Sequence, residues 1–191
     1  MFGNNMNNNN INVANTNVGV NTQEDKNSGF IDLCVKKILL HLDETNNSTK
    51  LEEFNNFFLQ DAQNLKIIFN TIPYNDSVKF ITDLYSRGPT TSHSLESFDY
   101  HVIPGLGHVI VSVSCKCKFD ESGNDKMGNN INNINNNSNT SKRPLYGSAF
   151  GVSMQLVLDG NKLIQQQSLN NVIMSLNYNV VYKPTDTLIV I

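Results

Sequence analysis

The stretch "VIVSVSCKCKFDE" (residues 109–121) decides how the chain is read. Val109, Val111, Val113, Cys115, Cys117 and Phe119 alternate with Ile110, Ser112, Ser114, Lys116, Lys118 and Asp120. A period of two is what a strand with one buried face requires. Both cysteines fall on the apolar face and both lysines on the other. A thiol on such a face behaves as a small hydrophobe, and burial raises its pKa and blunts its reactivity. A metal site needs about four converging ligands. The chain offers no second close cysteine pair, and His41, His93, His101 and His108 lack ligand spacing. Successive same-face cysteines on a strand also sit too far apart for a relaxed disulfide. Cys115 and Cys117 are expected in the core, and neither a metal nor a cofactor is expected.

The same period recurs on either side. "LESFDYHVI" (95–103) places Phe98, Tyr100 and Val102 together, and "AFGVSMQLVLD" (149–159) places Phe150, Val152, Met154, Leu156 and Leu158 together. "NVIMSLNYNVVYK" (171–183) aligns Val172, Met174, Leu176, Tyr178, Val180 and Tyr182. Pro104, Gly105 and Gly107 read as a hairpin turn rather than a phosphate loop, because a strand and not a helix comes next. Upstream the period is helical. Residues 30–42 carry Ile31, Cys34, Val35, Ile38 and Leu42 on one stripe, and 50–60 carry Leu51, Phe54 and Phe58. A short strand at 65–70, closed by Pro73, precedes a third helix capped by Asn75 or Asp76. That helix is expected to turn Val78, Ile81 and Tyr85 inward and to stop at Gly88-Pro89. Three helices and then a four- or five-strand antiparallel sheet make an α+β plan.

The 191 residues suit one domain with a real core. Charged residues make up 16% and the net charge is −3, so no whole-surface attraction to nucleic acid is expected. Asparagine is about one residue in six, far above ordinary usage. It concentrates in residues 1–28 and in an insert at about 120–143. Neither segment holds enough apolar surface to offset the entropy of ordering, so both are expected to be disordered. No secretory signal is legible and no apolar run reaches the ~20 residues that span a bilayer. A soluble protein of a reducing compartment, without membrane insertion, is expected.

Two sets of residues remain as candidates for function. Asp99 and His101 share one strand face and could act as a general-base pair in a curved-sheet isomerase or dehydratase, but period two points both away from the interior. The non-core face of the other strands is more informative. Ser112, Ser114, Lys116, Ser153, Gln155, Ser175, Asn177 and Asn179 line it, with Ile110, Val157, Ile173 and Val181 interspersed. Small amides and hydroxyls with a few aliphatics suit a second protein surface better than bulk water. Lys116, Lys118, Lys126, Lys142 and Arg143 form a weak basic group beside the insert, a candidate RNA or ribosome contact.

The strings "KKILLHLDE" (36–44), "IIFNTIPY" (67–74), "DYHVIPGLG" (99–107) and "CKCKFDESGNDKMG" (115–128) are distinctive. With "RPLYG" (143–147), "FGVSMQLVLD" (150–159) and "LNYNVVYKPTDTLIVI" (176–191), they resemble the small-subunit family of the fungal mRNA export receptor, the mRNA transport regulators. The likeness runs from about residue 30 to residue 191. It implies the nuclear transport factor 2-like fold, in which three helices pack in a strongly bent antiparallel sheet that forms a cone over residues 29–191, and it implies no catalysis. It also implies a heterodimer with the large receptor subunit through the sheet face, binding of FG-repeat nucleoporins, and export of mRNA and large (pre-60S) ribosomal subunits through the nuclear pore. The protein would then shuttle between nucleus and cytoplasm. Carried onto this chain, the interface falls on Ser112, Ser114, Lys116, Ser153, Gln155, Val157, Ser175, Asn177, Asn179 and Val181. Members of this fold also build homodimers, so a self-associating adaptor is an alternative.

Overall fold

The computed structural model describes residues 22–45, 47–129 and 143–189. The chain runs α1 (Thr22–Asp43), α2 (Ser48–Phe57), β1 (Lys66–Phe69), β2 (Ile72–Tyr74), α3 (Ser77–Arg87), β3 (Thr91–Ile103), β4 (His108–Phe119), β5 (Phe150–Asp159) and β6 (Ile173–Tyr182). A five-residue π-helical turn at Asn161–Gln165 links β5 towards β6. The strands form one sheet in the order β2-β1-β6-β5-β4-β3. The helices cover its concave, apolar face, and the α+β plan and the nuclear transport factor 2-like architecture both hold.

The long strands result from alternation. In β4 every odd residue from Val109 to Phe119 is buried, and in β5 every even residue from Phe150 to Leu158. The hairpin joining β3 and β4 turns at Pro104–Gly107, where Gly105 and Gly107 take the left-handed backbone that glycine tolerates. Helix starts are local chemistry too. The Asp76 carboxylate accepts the Val78 and Lys79 amides, and Asn47 accepts the Lys50 amide. The helices supply the rings of the core. An aromatic chain runs from His41 on α1 through Phe54, Phe58, Phe80 and Phe69 to Tyr178 on β6. Its centroid steps are 5.0, 5.1, 5.9, 5.5 and 4.5 Å.

Several expectations need correcting. The sheet has six strands, not four or five, and β1 pairs parallel with β6. Pro73 does not close a strand; it sits within β2, the edge strand of the β1–β2 hairpin, where a missing amide is harmless. α1 begins at Thr22, inside the tail expected to be disordered; residues 1–21 lie outside the described residues. Val78 is 58% exposed and Phe80 takes the inward place. The Asp76 cap makes Ser77 the first helical residue, so the buried stripe is Ser77, Phe80, Ile81 and Tyr85.

Two register shifts between β5 and β6 change which β6 residues face inward. Leu158 pairs with Ile173 and Val157 with Ser175, so Met174 is the extra residue and Ile173 is buried rather than outward. At the other end Val152 pairs with Val180 and Gly151 with Tyr182, leaving Val181 unpaired and swinging Tyr182 outward. The start of the insert is also packed, contrary to expectation. The Asp120 carboxylate accepts the Ser122 and Leu145 amides, which ties both flanks together, and the Lys126 amide donates to the Gly88 carbonyl. Residues 130–142, the rest of the expected loop, lie outside the described residues.

Two measurements probe this interior. Phe54→Ala removes a ring that touches His41, Phe57, Phe58 and Phe80, and is expected to cost roughly 3–5 kcal/mol in urea unfolding. Val78→Ala should stay within about 0.5 kcal/mol; the reverse ranking would restore the sequence-based orientation of α3. The second concerns pH. Burial lowers the pKa of His41 from its ordinary 6.5, with Glu53 opposing more weakly, and Nδ1 has no hydrogen-bond partner. The unfolded chain therefore binds this proton more readily than the folded one, and stability falls as pH drops below about 6.5. His41→Phe should lose less stability than the parent between pH 7 and 5, and equal losses would show that His41 does not carry the effect.

Candidate partner interface and the polar interior

Cross-strand register assembles the outer sheet face. Ser112 on β4 stands beside Gln155 on β5, which stands beside Asn177 on β6 and then Ile68 on β1. The next row is Ser114, Ser153 and Asn179, and on the other side lie Ile110, Val157 and Ser175. Ser112, Ser114, Lys116, Ser153 and Gln155 are exposed, while Val157, Ser175, Asn177 and Asn179 are half-buried and Val181 is 66% exposed. The Asn179 amide donates to the Asn177 side-chain carbonyl at 2.7 Å. Nine of the ten expected interface residues thus share one surface by register, with the unpaired Val181 beside Gly151 at its end, and its two central rows on β4, β5 and β6 carry no formal charge. Charge appears at the rim, where Lys116 pairs with Glu96 on β3.

Sequence reasoning missed two members of this face. Ile68 adjoins Asn177 and is partly exposed. Tyr182, 61% exposed, pairs across Gly151 and continues the row that begins at Lys116. A Cβ at Gly151 would stand 3.0 Å from the Tyr182 Cβ, so glycine lets the tyrosine cross the strand closely. The lone glycine inside an otherwise regular strand pattern was the available signal, since it marks a bulge or a close approach.

Asp99 and His101 are exposed on the outer surface, and the Asp99 carboxylate accepts the Tyr100 amide. Neither lines the cavity of about 400 Å³ at the mouth of the cone, whose walls include Phe69, Tyr74, Phe80, Leu84, Tyr178 and Ile189. The interior instead holds a polar chain that spacing did not reveal. The His93 amide donates to Asp43 Oδ2 at 2.7 Å, and His93 Nδ1 lies 2.5 Å from Asp43 Oδ1. His93 Nε2 lies 2.8 Å from the Tyr178 hydroxyl. One tautomer, protonated at Nδ1, satisfies both contacts. Burial pushes the Asp43 carboxyl up, but the bonds from His93 outweigh it and hold it below its usual range. Burial pushes Tyr178 well up, so its hydroxyl stays a donor. Both imidazole nitrogens are engaged within the protein.

The cysteines behave as the alternation implied. Cys34, Cys115 and Cys117 are buried, and burial pushes each thiol up to about 12. Of the basic group, Lys116 and Lys118 are exposed on β4 and Arg143 is exposed beyond the insert, while Lys142 lies outside the described residues. Lys126 is 2% exposed and cannot contact RNA from where it sits. Its ammonium donates to the Leu42 carbonyl at 2.6 Å and to Thr91 Oγ1 at 3.0 Å. Sequence alone gave it the wrong side because a lysine in an asparagine-rich insert carries no burial signal.

Comparison with known proteins accords with this architecture. The yeast mRNA transport regulator MTR2 of Saccharomyces cerevisiae is 41% identical over 186 residues, covering 92% of this chain and 98% of the relative. In the crystal structure of the Candida albicans Mtr2–Mex67 M domain complex, one chain superposes with a TM-score of 0.66 at 26% identity, covering 83% of this chain and 98% of that one. A nuclear transport factor 2-like superfamily protein from Salmonella enterica shares the fold alone, with a TM-score of 0.52 at 7% identity over 86% of this chain and 97% of its own. The family model described as nuclear pore RNA shuttling protein Mtr2 matches residues 21–191, and the chain belongs to that family.

Proposed function

We propose that this chain is the non-enzymatic small subunit of a heterodimeric nuclear export receptor. It pairs through its outer sheet face with a Mex67-type large subunit, and the pair carries mRNA and large ribosomal subunits through the nuclear pore by binding FG-repeat nucleoporins. The observation that carries the pairing is the uncharged heart of that face. A solvated antiparallel face is normally charged, whereas this one offers serines, amides and exposed aliphatics, with Tyr182 at one end. Such a surface loses little on desolvation when its polar groups find partners directly or through water. The crystallised relative bound to the Mex67 M domain supports the same pairing, and the name of the yeast relative supports mRNA transport and a nuclear site of action.

Of the basic group beside the insert, Lys116, Lys118 and Arg143 are exposed and open to an RNA or pre-60S contact, with Lys116 also paired to Glu96. Asp99 and His101 stand on the outer surface and away from the cavity lined by Phe69 and Tyr178, which counts against an isomerase or dehydratase that uses them. A homodimeric adaptor would use the same uncharged face, and sedimentation of the chain alone distinguishes it: a monomer prone to aggregate is expected.

Pairing is measured by titrating the chain with the M domain of a Mex67-type large subunit. Asn177→Asp combined with Gln155→Glu places two carboxylates side by side on the desolvated face, and the expected loss is several kcal/mol of binding, about 100-fold or more in Kd. Tyr182→Ala should weaken pairing by about tenfold. Unchanged affinity in both variants would remove the sheet face as the interface.

A further inference from the structure

The root of the internal insert meets the cone through a buried lysine, which is unusual because a lysine is almost never fully buried unless paired. Lys126 reaches the C-terminal end of α1, where the Leu42 carbonyl is among the last that the helix leaves without an internal donor. The ammonium supplies that donor, also donates to Thr91 Oγ1, and lies 5.7 Å from the centre of the Tyr85 ring. The backbone around it is held as well. The Lys126 amide donates to Gly88, and the Asn129 amide and side chain close onto the Asp125 carboxylate.

Thr91 Oγ1 also donates to the Leu42 carbonyl, at 2.9 Å. That carbonyl therefore keeps a donor if the lysine withdraws, and withdrawal leaves no orphaned acceptor on α1. What the cone loses is a charge held in a dry site, which water would take back readily.

We propose that residues 123–129 form a releasable latch on the rim of the cone, with Lys126 as the positioning residue that holds it shut. Docked, the latch fixes where the insert departs from β4 and hides one cation. Released, it frees the end of α1 and presents Lys126 to solvent. The groups facing the ammonium are Asp43 and Glu44 at the end of α1, Cys117 from β4 and Tyr85 from α3. Burial holds Cys117 at about 12 and pushes Tyr85 up too, so both are neutral and the two carboxylates are the charges that oppose release. Burial brings Lys126 itself down to about 8 from its ordinary 10.5. Protons therefore favour release, and docking tightens as pH rises from about 8 towards 10.5.

Trypsin reads the latch directly, because the Lys126–Met127 bond enters its cleft only when the segment is drawn out. Cleavage of the full-length chain at that bond is monitored by mass spectrometry and normalised to a small peptide substrate at each pH. Between pH 7 and 9 the parent's rate is expected to fall roughly tenfold. Thr91→Val should speed cleavage several-fold at each pH. Lys126→Arg keeps a trypsin site but stays charged, so its cleavage should be faster than the parent's and should show no such fall. Thermal melts establish that each variant is folded, and the Lys126→Arg comparison stands without Thr91→Val. Equal, pH-independent rates for the parent and Lys126→Arg would overturn the latch.

Discussion

The C-terminal turn of α1 runs into the protein, where His41 and Leu42 are buried. A buried carbonyl without a donor costs about 1–3 kcal/mol, so the rest of the fold has to bring donors to it. It does so from three directions. The Tyr85 hydroxyl of α3 reaches the His41 carbonyl at 2.6 Å. Thr91 at the start of β3 and Lys126 from the insert both reach Leu42. The backbone and ring of His93 take the Asp43 carboxylate. Helix, edge strand and insert are thereby fixed relative to one another at a single point, and the first residue of β3 is chosen as much by α1 as by its partner strand.

From that point a closed circuit runs through the core. Asp43 holds His93, His93 holds the Tyr178 hydroxyl, Tyr178 stacks on Phe69, and the aromatic chain returns through Phe80, Phe58 and Phe54 to His41 on α1. Dispersion contacts along the rings are individually small and collectively large. The hydrogen bonds set direction where the rings alone would tolerate sliding. The carboxylate, imidazole and phenol lie in a row, with both imidazole nitrogens hydrogen-bonded within the fold. They orient helices against a sheet.

Much of this fold is legible in the sequence, and the limits have physical causes. β4 and β5 are plain because one face is buried along their whole length, so the period of two is never interrupted. The inward place of Cys115 and Cys117 comes from the same alternation. β6 is only partly legible: its two bulges each insert a residue, and each insertion reverses the face of the residues beyond it. That is why Ile173 and Tyr182 exchange sides relative to strict alternation. Val78 misleads because an aliphatic two places after a cap looks inward until the first helical residue is known. The Asp43–His93–Tyr178 chain is invisible to spacing, since its members lie 50 and 85 positions apart, and Lys126 is invisible because its charge argues for the surface while only the α1 terminus argues against it. Nine of the ten expected interface residues share one face because they sit between the bulges or on bulge-free β4, and Val181 is the bulge residue itself.

Interior and candidate interface meet on β6. Tyr178 points into the core, and its immediate neighbours Asn177 and Asn179 point out towards the candidate partner. On one side β6 is held by the long antiparallel pairing with β5, and on the other by the short parallel pairing with β1. A strand so placed cannot slide by one residue without moving Tyr178 off both Phe69 and His93. The candidate surface is therefore positioned by contacts that lie in the core. An asparagine row on a loosely held strand would lose side-chain and backbone freedom on binding, whereas this row has surrendered it during folding. The pre-ordering suits a face whose central rows carry no charge to act as an interface, since little freedom remains to be lost on binding.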